Sequence, residues 1–179
     1  MIFAVFKPKG ITSRKFLNEI KKITKIKKWG HAGTLDPLAE GVLVVGCNKG
    51  TKDLFSKKFK EKEYLATIKL GEESTTDDEE GEKSFISSKK PEIIEVENIT
   101  KKMIGEIDQL PPLFSAIKVK GRESYKLARK GEKPYLEKRR VVVKKINILS
   151  YNYPFLKIRV VTGPGVYIRS LARDIGEAL

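Results

Sequence analysis

Short apolar stretches and helical stripes follow one another along this chain without regular strand–helix–strand alternation. That irregular order argues against a doubly wound parallel sheet. Residues 2–6 form a short apolar strand closed by the turn residues Lys7, Pro8, Lys9 and Gly10. Ser13 is a suitable helix N-cap, and Phe16, Leu17, Ile20 and Ile23 follow at helical spacing. Residues 42–45 read as a buried strand. Residues 64–70 alternate, with Tyr64, Ala66, Ile68 and Leu70 on one face. Val96, Ile99, Met103 and Ile107 mark a helix, ended by Pro111 and Pro112. Residues 114–119 are strand-like, and 123–130 form a short basic helix stopped by Gly131. Residues 140–149 and 155–161 are strands joined through 151–154. After the turn at Gly163, Pro164 and Gly165, a last helix carries Ile168, Leu171, Ala172, Ile175 and Leu179. The expected class is α+β: a mixed, mostly antiparallel sheet flanked by helices. The 179 residues suit one domain and can bury a core without disulfides or metals.

Charge narrows the partner. Lys and Arg number 37 against 23 Asp and Glu, a formal net charge of +14. Such a field fits a polyanion, with nucleic acid first. The cations cluster at residues 21–28, at Lys57, Lys58, Lys60 and Lys62, and from Lys118 to Lys145. Residues 71–82 oppose the trend with seven acids in twelve residues. Phosphates would repel that segment, so it is expected to lie away from a nucleic-acid face.

Several chemistries have no motif here. One Cys (Cys47) excludes an internal disulfide, and one Cys with one His makes no Cys/His zinc site. Cys47 adjoins an apolar strand and reads as a core residue. The glycines at 46–50 lack the order of a phosphate-binding loop, and those at 163–165 lack a dinucleotide fingerprint. The acidic segment lacks the alternation of an EF-hand. The N-terminus has no signal-peptide pattern, and no apolar run reaches the ~20 residues of a membrane span. A carboxylate, hydroxyl or amine is left to do any chemistry, without cofactor or metal.

Residues 29–40 have neither helical nor strand period and read as a structured loop, with Gly33, Thr34, Leu35, Asp36 and Pro37 its most informative part. Gly33 permits a turn, and Pro37 holds Asp36 extended. Leu35 and Leu38 can anchor the loop in a core. Asp36 is either a catalytic carboxylate on a rigid loop or the cap of a helix starting at Pro37.

With its flanks, this segment (His31 to Leu43, HAGTLDPLAEGVL) closely resembles the signature of the TruB family, the tRNA pseudouridine-55 synthases. Five further elements match in order over nearly the whole chain. Lys7, Pro8, Lys9 and Gly10 with Thr12 and Ser13 resemble the N-terminal element. Lys62, Glu63 and Tyr64 leading to Leu70 and Gly71 resemble the Tyr-bearing strand. Thr76, Asp77, Asp78 and Gly81 resemble the loop that follows. PPLFSAIK (111–118) resembles the start of the thumb insertion, and GVYIRSL (165–171) the C-terminal active-site motif.

The resemblance implies the pseudouridine synthase catalytic fold over 1–179, with a thumb insertion at about 113–139. It implies isomerisation of uridine to pseudouridine at position 55 in the T loop of tRNA, by base flipping and without a cofactor. Asp36 matches the essential aspartate, as nucleophile or base. Arg169 matches the arginine paired with it. Tyr64 matches the residue stacked on the target uracil, and Tyr167 the one on its other side. His31 matches the residue that fills space left by the flipped base. Read without the family, Arg169 is an exposed helical arginine, the tyrosines are strand or core aromatics, and His31 is a satisfied loop histidine. Lys118, Lys120, Arg129 and Lys130 in the thumb are candidates for the RNA backbone. The expected partner is the T-arm of tRNA, with no metal and no membrane, for a cytoplasmic monomer.

Family members continue beyond the Tyr-Ile-Arg helix with more core and usually a PUA domain. The last helix here stops at Leu179 in its apolar phase. The C-terminal part of the family fold and the PUA domain are therefore expected to be missing. Two other functions remain: a non-catalytic tRNA-binding or folding module, and a guide-RNA-dependent synthase. Guide-dependent relatives lack the thumb insertion.

Overall fold

The computed structural model describes residues 1–56 and 61–179; Lys57, Lys58 and Lys60 of the second lysine cluster lie outside them. The chain forms two compact units, Met1–Phe59 and Lys60–Leu179.

The first unit contains β1 (Ile2–Lys7), α1 (Ser13–Thr24), β2 (Trp29–His31), β3 (Gly41–Cys47) and α2 (Gly50–Ser56). The three strands form one antiparallel sheet with β3 in the centre. Alternation along β3 turns Leu43, Val45 and Cys47 into the core and leaves Val42 exposed. Leu17 of α1 closes that core, with Val5, Phe16, Trp29 and Leu35 packed around it. Thr12, not Ser13, caps α1: its hydroxyl accepts from the Lys15 amide at 3.1 Å. Lys21 and Lys22 sit in the last turn, where cations favour the helix dipole. Ile23 shares the apolar spacing but is 81% exposed.

The second unit runs β4 (Lys62–Lys69), β5 (Glu72–Ser74), β6 (Lys83–Phe85), α3 (Ile93–Lys102), β7 (Gly105–Gln109), β8 (Lys118–Val119), β9 (Arg122–Glu123), α4 (Ser124–Ala128), β10 (Arg139–Asn152), β11 (Phe155–Thr162) and α5 (Ile168–Ala178). Its main sheet has the order β4-β11-β10-β7, antiparallel at every pair. Ile68, Val143, Leu156, Ile158 and Val160 form one side of the core, and Val96, Leu171 and Ile175 the helical side. The α+β class with an antiparallel sheet is what the sequence predicts.

Several local expectations change. The segment 29–40 opens with a short strand, because Trp29 and His31 pair with Cys47 and Val45. The acidic segment belongs to a hairpin, β5 with β6. Ile107 lies on β7 rather than on the preceding helix; Gly105, at φ +109°, separates the two. Residues 114–117 are not a strand, and only Lys118 and Val119 pair there.

Candidate active site

Of the residues predicted from sequence, His31 and Asp36 lie in the first unit. Tyr64, Tyr167, Arg169 and the cations Lys118, Lys120, Arg129 and Lys130 lie in the second.

Asp36 lies in the loop between β2 and β3, half-buried. Pro37 starts no helix: residues 37–38 form a turn, and the Ala39 amide donates to the Asp36 carbonyl at 3.1 Å. The helix-capping reading of Asp36 is therefore excluded. Leu35 packs on the core. The buried Ser13 hydroxyl donates to the Leu35 carbonyl at 2.9 Å and accepts from the Leu35 amide at 3.0 Å. On the other side, the Gly10 amide donates to the Pro37 carbonyl at 2.8 Å. Gly10 takes φ +87°, a conformation other residues resist. Gly10 in the β1–α1 connection and Ser13 at the start of α1 thus hold the backbone on both sides of Asp36.

Lys7 ends β1 with no solvent exposure. Its Nζ donates to the carbonyls of Pro8 and Ile11, both at 2.8 Å. Burial pushes its pKa below the usual lysine value, while the charges of Asp36 and Glu40 pull it back up. A buried ammonium therefore shares the field of the Asp36 carboxylate. The His31 Nδ1–H donates to the Gly33 carbonyl, which in the neutral ring leaves Nε2 as an acceptor.

In the second unit, Tyr64 lies opposite Val160 in the β4–β11 ladder and packs against the core. Tyr167 immediately precedes α5. The amide of Gln109, 1% exposed, brackets its backbone. Gln109 Oε1 accepts from the Tyr167 amide at 2.8 Å, and Nε2 donates to the Tyr167 carbonyl at 3.2 Å. Arg169 donates to the carbonyls of Thr76 at 3.0 Å and Phe114 at 3.1 Å, and lies 3.4 Å from an Asp78 oxygen. One turn later, Arg173 pairs with Asp77 at 2.7 Å and donates to the Leu110 carbonyl at 2.7 Å. Burial raises the Asp77 pKa, and the Arg173 charge opposes the rise. The acidic segment is thus tied to the helix that carries Arg169, rather than projecting as a free acidic loop.

Lys118, Lys120, Arg129 and Lys130 are all exposed. Lys118 starts the β8–β9 hairpin, whose turn residues Lys120 and Gly121 take φ +49° and +81°. The Arg129 guanidinium lies 5.5 Å from the centre of the Tyr125 ring. The packing roles of Ser13, Lys7, Gln109 and Arg173 have no counterpart in the sequence reading. Only Arg173 leaves a local signal, four residues after Arg169 on the same helical face. Among the described residues, no group of three or more His, Cys, Asp or Glu could hold a metal ion. Among them, too, no helix is long and apolar enough to cross a membrane.

Residues 21–168 match the TruB family pseudouridylate synthase N-terminal domain. The chain is 47% identical over 180 residues to a tRNA pseudouridine synthase B of Clostridium novyi, covering 99% of this chain and 62% of that protein. It is 45% identical over 168 residues to one of Parabacteroides distasonis, covering 92% of this chain and 72% of that protein. A chain in a crystal structure of a Cbf5-Nop10-Gar1 complex superposes with TM-score 0.74 at 31% identity, over 99% of this chain and 44% of its own length. The chain therefore spans 62% of the Clostridium relative and less than half of that structural neighbour. The span of the family match and these identities together show that the chain belongs to the TruB family of pseudouridylate synthases.

Proposed function

We propose that this chain isomerises uridine to pseudouridine at position 55 in the T loop of tRNA. One observation carries the proposal. The loop bearing Asp36 is held on both sides by Ser13 and Gly10, in a chain 47% identical to a tRNA pseudouridine synthase B. A carboxylate on a fixed backbone can be aimed at a ribose without further ordering.

The reaction is balanced within one nucleotide. The N1–C1′ bond breaks, the uracil turns, and a C5–C1′ bond forms; C5 loses a proton and N1 gains one. Asp36 acts on the ribose as nucleophile or base, and either role needs the ionised carboxylate. Tyr64 stacks on the flipped uracil, Tyr167 serves its other face, and Arg169 takes the role of the family arginine that serves the catalytic aspartate. His31 fills the space the base leaves. Flipping a base out of its stack costs a few kcal/mol, which stacking on tyrosine offsets in part.

Residues 113–139 serve as the thumb that grips the T-arm, with Lys118, Lys120, Arg129 and Lys130 on phosphates. The enzyme works as a cytoplasmic monomer on tRNA alone. The 47% identity to a tRNA pseudouridine synthase B supports tRNA as the substrate, and the thumb insertion, which guide-dependent relatives lack, supports stand-alone action.

The test incubates the full-length protein with a T-arm stem-loop and maps pseudouridine chemically. Product on naked RNA is expected. RNA binding without product would sink the enzymatic reading in favour of a tRNA-binding module. Product only with accessory proteins would favour guide-dependent action. Asp36→Asn is expected to abolish product and keep binding, and turnover in that variant would remove Asp36 from its role.

A further inference from the structure

Three partners of Arg169 come from two loops that are distant in sequence. One supplies the Thr76 carbonyl and the Asp78 carboxylate, the other the Phe114 carbonyl. Arg173, one helical turn further along α5, grips the same two loops: Asp77 between those partners, and the Leu110 carbonyl four residues before Phe114. The Ser170 hydroxyl adds a second donor to Leu110, at 2.8 Å. Asp174 at 3.2 Å and Glu177 at 3.9 Å face Arg173 from its own helix. The Arg173 and Asp77 side chains are 22% and 16% exposed, so solvent screens their pairing less than it would a surface pair.

We propose that Arg173 is a positioning residue for Arg169: with Asp77 it locks residues 76–78 and 110–114 onto α5, keeping Asp78, Thr76 and Phe114 aimed at the Arg169 guanidinium. The fork of a guanidinium makes this possible, because one nitrogen holds the carboxylate while another holds the carbonyl. An ammonium there holds one loop firmly and the other weakly. Releasing either loop gives Arg169 alternative rotamers, and a guanidinium out of line loses its value at the reacting centre.

The inference rests on the pseudouridine synthase reading, in which Arg169 belongs to the site. Its test therefore has one arm that needs activity and one that does not. Full-length wild type, Arg173→Met, Arg173→Lys and Asp77→Asn are compared in single-turnover conversion of a T-arm stem-loop, in Kd for that RNA, and in thermal midpoint. Arg173→Met is expected to slow conversion about tenfold or more while Kd stays within about threefold. Arg173→Lys is expected to fall between wild type and Arg173→Met, because its ammonium holds only one of the two loops firmly. In an Arg169→Lys background the penalty of Arg173→Met is expected to shrink to about twofold, because the two act as one unit. A penalty equally large in that background, or a wild-type rate in folded Arg173→Met, would overturn the proposal. If Arg173→Met does not fold, a wild-type rate in Asp77→Asn overturns it instead.

The second arm reads the Arg169 Nε–H resonance by NMR. The resonance is expected to be resolved in wild type and to move toward the free-arginine position in Arg173→Met, or in Asp77→Asn if the former does not fold. An unmoved resonance overturns the proposal whether or not the protein forms pseudouridine. A wild type without product but with the expected shift overturns only the functional reading.

Discussion

The Ser13 hydroxyl uses both its donor and its acceptor on one residue, Leu35: it donates to the carbonyl at 2.9 Å and accepts from the amide at 3.0 Å. Ser13 begins α1, and Leu35 immediately precedes Asp36, 22 residues away in the chain. Through this contact the helix sets the backbone angle of the Asp36 loop.

Ser13→Ala leaves both Leu35 backbone groups without that partner, in a site where Ser13 is 2% exposed. The expected loss of stability is about 1–3 kcal/mol, read by denaturant unfolding. The single-turnover rate is expected to fall by more than the folded fraction explains, because Asp36 loses its alignment. A variant destabilised by that amount but fully active when folded would separate the clamp from the chemistry.

Gln109 offers a sharper test, because its two bonds to Tyr167 differ in kind. Its carbonyl oxygen accepts from the Tyr167 amide, and its NH₂ donates to the Tyr167 carbonyl. A carboxylate at position 109 can make only the first bond, whereas a protonated carboxyl can make both. Gln109→Glu is therefore expected to be less stable than wild type at neutral pH and to recover as the pH falls through the raised pKa of the buried Glu. Gln109→Leu lacks both bonds and shows no such recovery. Parallel pH profiles for the two variants would refute the bracket. Chemical denaturation at several pH values supplies the measurement.

How far these features can be read from sequence depends on the distance over which each residue acts. The Asp36 loop is visible because Gly33 and Pro37 interrupt every period around it. The strands β4, β10 and β11 are visible because one face is buried and hydropathy alternates accordingly. Helix α2 is hidden: within GTKDLFS, Leu54 is the apolar residue seen to be buried, and one position defines no stripe. The β5–β6 hairpin leaves no alternation, since the side chains of β6 are exposed. Ile107 continues a helical spacing from Met103 only by coincidence. Gln109 finds its partner 58 residues away and Arg173 its Asp77 96 residues away, and pairing at that range leaves no mark on a local pattern. The Asp36 motif and the N-terminal element with Gly10 and Ser13 could each be recognised, but the contacts by which the second holds the first could not.

Lys7 predicts a distinctive pH dependence. In the folded chain its pKa lies below the usual value of 10.5, mainly because the side chain is buried. In the unfolded chain it returns to that value. Between the lowered pKa and 10.5 the unfolded chain keeps a proton that the folded chain has lost, so this group makes stability rise with pH across that alkaline window. Lys7→Met is expected to abolish that rise. It also leaves the Pro8 and Ile11 carbonyls without their donor, at an expected cost of about 1–3 kcal/mol near neutral pH. Urea unfolding of both proteins from neutral to alkaline pH checks the two expectations together. An unchanged slope in Lys7→Met would assign the rise to another group.

The thumb cations should act on affinity and its salt dependence rather than on the rate of chemistry. Lys118, Lys120, Arg129 and Lys130 are exposed, so a phosphate can reach each without displacing a buried partner. Arg129 is held over the Tyr125 ring, which presents its charge in a fixed place. Each phosphate contact contributes about one unit to the slope of log affinity against log salt concentration. Neutralising one of these residues to Gln should therefore lower the slope by about one unit, and neutralising all four by up to about four. At saturating RNA the isomerisation rate should stay within about twofold of wild type, because binding lost equally from ground and transition states leaves kcat alone. Filter binding of a T-arm stem-loop at several salt concentrations measures the slope. A fourfold variant with the wild-type slope would move the RNA contact away from residues 113–139 and onto the lysines of α1.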